Sequence, residues 1–127
     1  MTLPYKKHCI IVLLLFICFV FLYIYKMKLN PEITPEKARA NYQKGLYDYI
    51  VDVRTQKEWD QHHLPHTIHI PIGTLVTELP QKIPDKNARI LFICKKGIRA
   101  SAVTVIANKL GYYNVDAMIG NYKQLLL

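Results

Sequence analysis

Hydrophobic positions change their pattern along this 127-residue chain. From Cys9 to Tyr25 they run without a charged residue, bracketed by Lys6, Lys7 and His8 before and by Lys26 and Lys28 after. At about 1.5 Å per residue a helix over this stretch reaches ~25 Å, close to the thickness of a bilayer core, with Tyr23 and Tyr25 suited to the interface. It predicts a tail over 1–8 and a membrane-spanning anchor over 9–25. A cleaved secretory signal shares the charged start, but Phe21-Leu22-Tyr23-Ile24-Tyr25 is bulky where a peptidase needs small side chains.

Past a linker over 26–33, a domain is expected over 34–127, in which short apolar runs alternate with stretches of helical spacing. Thr34 and Pro35 read as N-cap and first turn of a helix that runs to about Lys44 and stops at Gly45. Tyr47 to Val53 reads as a central parallel strand ending in the polar pair Asp52 and Arg54. Thr55-Gln56-Lys57-Glu58 has the form of a capping box and opens a short helix, with Trp59 expected as a core anchor. After a proline turn come a strand at Ile68-His69-Ile70, a brief helix from Thr74 to Leu79, and a loop from Pro80 to Lys86. Arg89 to Ile93 is the most apolar strand, and the helix after it starts at Arg99 or Ala100 and ends at Gly111. A last strand at Asn114 to Ala117 and a turn from Gly120 close the chain. This alternation predicts an α/β fold, a parallel sheet with helices on both faces and functional groups at the carboxyl ends of its strands.

Charge changes the picture little. The formal net charge is +8, but four of the seventeen basic residues flank the anchor, which leaves the rest of the chain thirteen against nine acidic ones. No basic stripe with interleaved aromatics occurs, so nucleic-acid binding is not expected. Counting Lys26, Lys28, Lys37 and Arg39 after the anchor against Lys6 and Lys7 before it places the domain on the cytoplasmic side of a single-pass membrane protein.

Cysteine usage singles out one residue. Cys9 and Cys18 fall inside the apolar segment, which leaves Cys94 as the one cysteine of the domain. It is delivered by a buried strand into the basic loop Lys95-Lys96-Gly97-Ile98-Arg99, ahead of a helix. Unpaired amides at a helix N-terminus and nearby cations favour a thiolate, so Cys94 is the candidate nucleophile. Lys95, Lys96, Gly97, Ile98 and Arg99 are the candidate anion cradle, with Gly97 letting the loop curl.

Four motifs together resemble the single-domain rhodaneses, over roughly Thr34 to the end of the chain. They are Val51-Asp52-Val53-Arg54 with Glu58-Trp59, His63-Leu64-Pro65 leading to Ile68-His69-Ile70-Pro71, Cys94 to Arg99, and Gly111-Tyr112 before Asn114-Val115. The resemblance implies a three-layer rhodanese fold and a sulfurtransferase without a cofactor. Its loop cysteine would take sulfane sulfur from a small anionic donor such as thiosulfate and pass it, as a persulfide, to a thiol or cyanide-like acceptor. The chain departs from the family pattern at His62 and His66, where many members have glycine, and at Asn121, where a glycine pair is frequent.

Alternatives lie close by. Phosphatases of related fold place five residues between cysteine and arginine, whereas four separate Cys94 from Arg99 here, a tighter ring that favours sulfur over phosphate. Arsenate reduction is a smaller possibility, and a redox-sensing or interaction module at the membrane is the non-enzymatic reading. The cluster His62, His63, His66 and His69 lacks a cysteine or paired carboxylate, so no metal site is expected. His63 is expected buried, fixing a turn at the pole opposite the cysteine loop, with the other three solvated. Asp52 and Arg54 are expected as structural partners of groups such as Glu58.

Overall fold

A computed structural model describes residues 4–26 and 31–126; the other residues of the expected tail and linker, Lys28 among them, lie outside the described residues. The apolar segment forms one helix, α1 (Pro4–Lys26), whose side chains between Tyr5 and Tyr25 are almost all exposed. It is long and apolar enough to cross a membrane by length and composition, and a signal sequence would meet the same description.

The remainder is a five-stranded parallel sheet in the order β1-β5-β4-β2-β3, with β1 (Glu32–Ile33), β2 (Tyr49–Asp52), β3 (Ile68–His69), β4 (Ile90–Ile93) and β5 (Val115–Met118). Strand β1 falls where a linker was expected. Two residues carry no periodic signal, and only pairing of Glu32 and Ile33 with Ala117 and Met118 defines them as a strand. The helices are α2 (Pro35–Gln43), α3 (Gln56–Gln61), α4 (Leu75–Lys82) and α5 (Ile98–Lys109). Thr34 Oγ1 accepts the Lys37 amide at 3.2 Å, and Thr55 with Glu58 forms the full capping box.

Side-chain alternation along β4 gives each face of the sheet its own core. Ile90 and Phe92 pack with Val51 and Val115 against Leu75, Leu79 and Ile83 of the α4 region and Ala100, Val103 and Ala107 of α5. Leu91 and Ile93 pack with Ile50 and Met118 against Ala38, Leu64, Tyr122 and Leu125. Helix α4 continues through Pro80, where a loop was expected. The proline lies in the last turn and removes a single intrahelical bond, while burial of Leu75, Leu79 and Ile83 on one face holds the turn in place.

Trp59 is not a core anchor. It is only partly buried, because α3 buries no side chain, and its indole stacks with two imidazoles, at 3.8 Å from the His63 ring and 4.7 Å from the His69 ring.

Candidate active site

Strand β4 is flanked by β5 and β2, and Cys94 is the first residue beyond its carboxyl end. The residue is 1% exposed. Its Sγ accepts the Gly97 amide at 3.0 Å and the Ala100 amide at 3.4 Å. Gly97 is the N-cap of α5 and supplies no side-chain cap, so the sulfur takes the place of the oxygen that normally receives the N3 amide. The expected cradle of amides from Lys95 to Arg99 is thus concentrated in two donors. One of them, Ala100, was not foreseen; a glycine three residues before it at a helix start is the signal that could have found it.

Gly97 has φ of +89°, and a Cβ there would sit 2.8 Å from Ile119 Cα and 3.0 Å from Gly120 N. The segment crowding it is bonded to the loop. Tyr122 N donates to Cys94 O at 3.0 Å and Gly120 N to Lys96 O at 3.3 Å. Lys95, Lys96 and Ile98 are exposed, Ile98 by 74%, and with Cys94 and Arg99 they line a cavity of about 380 Å³.

Arg99 does not point its guanidinium free into that cavity. Its two terminal nitrogens meet the Glu58 carboxylate at 2.6 Å and 3.1 Å. The pair raises the arginine further, and the Arg99 hydrogen bond, offset in part by burial and assisted by Thr55, holds Glu58 down to about 2. Glu58 therefore serves two elements, capping α3 and fixing the far end of the cysteine loop.

Asp52 and Arg54 form a structural pair, as expected, though with each other rather than with the Glu58 carboxylate. Arg54 Nη2 donates to Asp52 Oδ2 at 2.8 Å and to the His62 carbonyl at 2.7 Å, with Asp52 0% and Arg54 3% exposed. The guanidinium lies 3.8 Å over the Tyr122 ring, whose backbone amide holds Cys94 O. This buried pair buttresses the loop from beneath.

His66 is exposed as expected, whereas the other three histidines of the cluster depart from expectation. His63 is exposed, and its Nδ1 bonds the Trp59 carbonyl at 2.8 Å, closing the end of α3. His62 Nδ1 meets Tyr122 Oη at 2.8 Å and His69 Nε2 meets the Arg54 carbonyl at 2.8 Å, so neither is merely solvated. Because β3 pairs only with the end of β2, His69 opposite Asp52, these two contacts lie at the pole of the cysteine loop, not opposite it. Among the described residues no group of side chains is arranged to hold a metal ion.

A parallel sheet with a reactive-type loop at the end of its central strand defines an α/β class shared by several chemistries. The family follows from comparison: residues 34–126 match the rhodanese-like domain, and the chain belongs to that family. It is 31% identical over 88 residues to a mitochondrial thiosulfate sulfurtransferase of Saccharomyces cerevisiae, RDL2, a match covering 61% of this chain and 59% of the relative. It is 26% identical over 69 residues to the thiosulfate sulfurtransferase PspE of Escherichia coli, covering 54% of this chain and 66% of the relative. Both shares of the relatives fall short of two thirds of their length. A human single-domain sulfurtransferase, TSTD1, superimposes with a TM-score of 0.66 at 24% identity, over 76% of this chain and 95% of that one, a likeness of fold.

Proposed function

We propose that the protein moves sulfane sulfur through a persulfide on Cys94, taking it from thiosulfate or a related anion and giving it to a thiophilic acceptor. The observation that carries this reading is the pair of amides, from Gly97 and Ala100, directed at Cys94 Sγ at the base of an open cationic cavity.

In the first half-reaction the Cys94 thiolate attacks the sulfane sulfur of thiosulfate, and the sulfur–sulfur bond breaks with its electron pair leaving on sulfite. Lys95 and Lys96 at the rim attract the dianion. The amides on Sγ favour negative charge at the sulfur, which the terminal atom of a persulfide retains. In the second, a nucleophile such as cyanide or a thiolate attacks that terminal sulfur. The Cys94–sulfur bond breaks and the thiolate is restored. A buried thiol suits this chemistry, because the persulfide carries the transferable sulfur one bond outward toward the cavity. The ion pair that holds Arg99 on Glu58 speaks against a phosphate cradle, where the arginine must meet the transferred group.

We also infer that residues 9–25 anchor the chain as a single-pass membrane protein with the domain on the cytoplasmic side, supported by α1 and by the basic residues that follow it. Protease digestion of vesicles that keep the cellular orientation tests the side: a domain degraded from the outside of intact vesicles contradicts it.

The enzymatic reading is tested by thiosulfate-to-cyanide transfer with the full chain in detergent. Wild type should form thiocyanate and Cys94→Ser should form none above background. Equal rates, or no rate from a folded wild type, would leave the interaction-module reading in its place.

A further inference from the structure

Every strand of the sheet runs the same way, so all strand starts gather at one pole and all strand ends at the other. Cys94 lies at the pole of strand ends, and the chain arriving from α1 enters β1, which pairs beside the latter half of β5, Glu32 opposite Ala117 and Ile33 opposite Met118. Lys26 ends α1 and Glu32 begins β1, and at no more than about 3.6 Å per residue the intervening chain reaches ~20 Å at most. The end of α1 itself meets the pole of strand starts. Tyr25 lines a cavity of about 390 Å³ together with Asn41, Leu46, Tyr47, Arg89 and Tyr113, all but Asn41 from segments that lead into strands.

The chemistry of this pole matches a charged interface. Lys44 caps α2, Lys109 ends α5, and Lys86 and Arg89 precede β4; all four are exposed, and Leu46 among them is 38% exposed. Asp48 and Asp85 offset part of this charge, Asp48 lying 3.8 Å from Arg89. We propose that the strand-start pole rests on an anionic lipid surface, so that Cys94 and its cavity face the aqueous phase on the far side of the domain. Charge alone does not choose the pole, since Lys95, Lys96 and Lys123 are exposed around the cysteine loop. The place of Tyr25 chooses it. This rests on the reading of α1 as a membrane anchor, and it makes the sulfur donor and acceptor water-borne groups rather than molecules dissolved in the bilayer.

The test uses the full chain in vesicles of phosphatidylcholine alone or mixed with phosphatidylglycerol, treated with a water-soluble amine-acylating reagent. Peptide mass spectrometry then compares lysines within the same molecule. With phosphatidylglycerol present, acylation of Lys44, Lys86 and Lys109 should fall by about threefold or more relative to Lys95, Lys96 and Lys123, and high salt should restore it. The double variant Lys44→Glu with Lys109→Glu should lose the lipid effect while still forming thiocyanate at the wild-type rate. Uniform labelling, or protection of the loop lysines instead, overturns the orientation. Flotation of the same vesicles separates the two failures. A chain that does not float with them refutes the anchor and this proposal together, whereas a floating chain with protected loop lysines refutes the orientation alone.

Discussion

At Gly97 a methyl group has no room: the backbone is left-handed and the nearest atoms are backbone atoms of Ile119 and Gly120, which cannot swing aside. Gly97→Ala should therefore cost about 1–3 kcal/mol of stability from the strained angle, and more from the close contact. It should also depress sulfur transfer, since the Gly97 amide is one of the donors on Cys94 Sγ. Denaturant midpoints and cyanide turnover on the same preparation check both, and a variant with wild-type values in each would contradict this account of the loop. Glu58 makes a second residue-scale prediction. Its carboxyl is held at about 2 in the fold, below its ordinary 4.5, so the ion pair adds stability that is fully present above pH ~4.5 and is lost as pH falls through about 2. Because both partners are partly exposed, Glu58→Gln should cost about 1 kcal/mol at neutral pH. The gap between variant and wild type should close on acidification; a gap that stays constant to pH 2 would show that the effect is not ionic.

Among the elements, α5 and the loop before it act as a unit. Because the N3 amide of the helix comes from Ala100, adding one residue between Gly97 and Arg99 should carry that amide off the sulfur and pull Arg99 from Glu58. Transfer should drop by about a hundredfold or more, the order of effect of removing one donor to a reacting centre, and an unchanged rate would mean that loop length does not govern the transfer. Elements defined by their own residues were legible in the sequence. Thr34 with Lys37 and Thr55 with Glu58 carry local hydrogen bonds, and Cys94 stands where a buried strand meets a helix. What the sequence hid depends on distant partners. Strand β1 exists through its pairing with β5, the Glu58–Arg99 pair joins positions 41 apart, and α4 passes Pro80 because both sides of the proline are packed. Trp59 misled for the opposite reason: a large aromatic suggests a core, but a short helix with an uncovered face offers it only imidazoles to stack on.

For the domain as a whole, one sheet with a core on each face should melt as one unit. Leu79→Ala on one face and Leu91→Ala on the other each remove a fully buried side chain and should cost ~2–5 kcal/mol, both within a single cooperative transition. Separate transitions by far-ultraviolet and tyrosine signals would contradict that coupling. The most direct measurement of the central claim is the intact mass of the full chain after incubation with thiosulfate, and again after cyanide. A gain of one sulfur atom that cyanide removes, present in wild type and absent in Cys94→Ser, is the predicted result. An unmodified wild type, or the same gain in Cys94→Ser, would contradict sulfur transfer through Cys94.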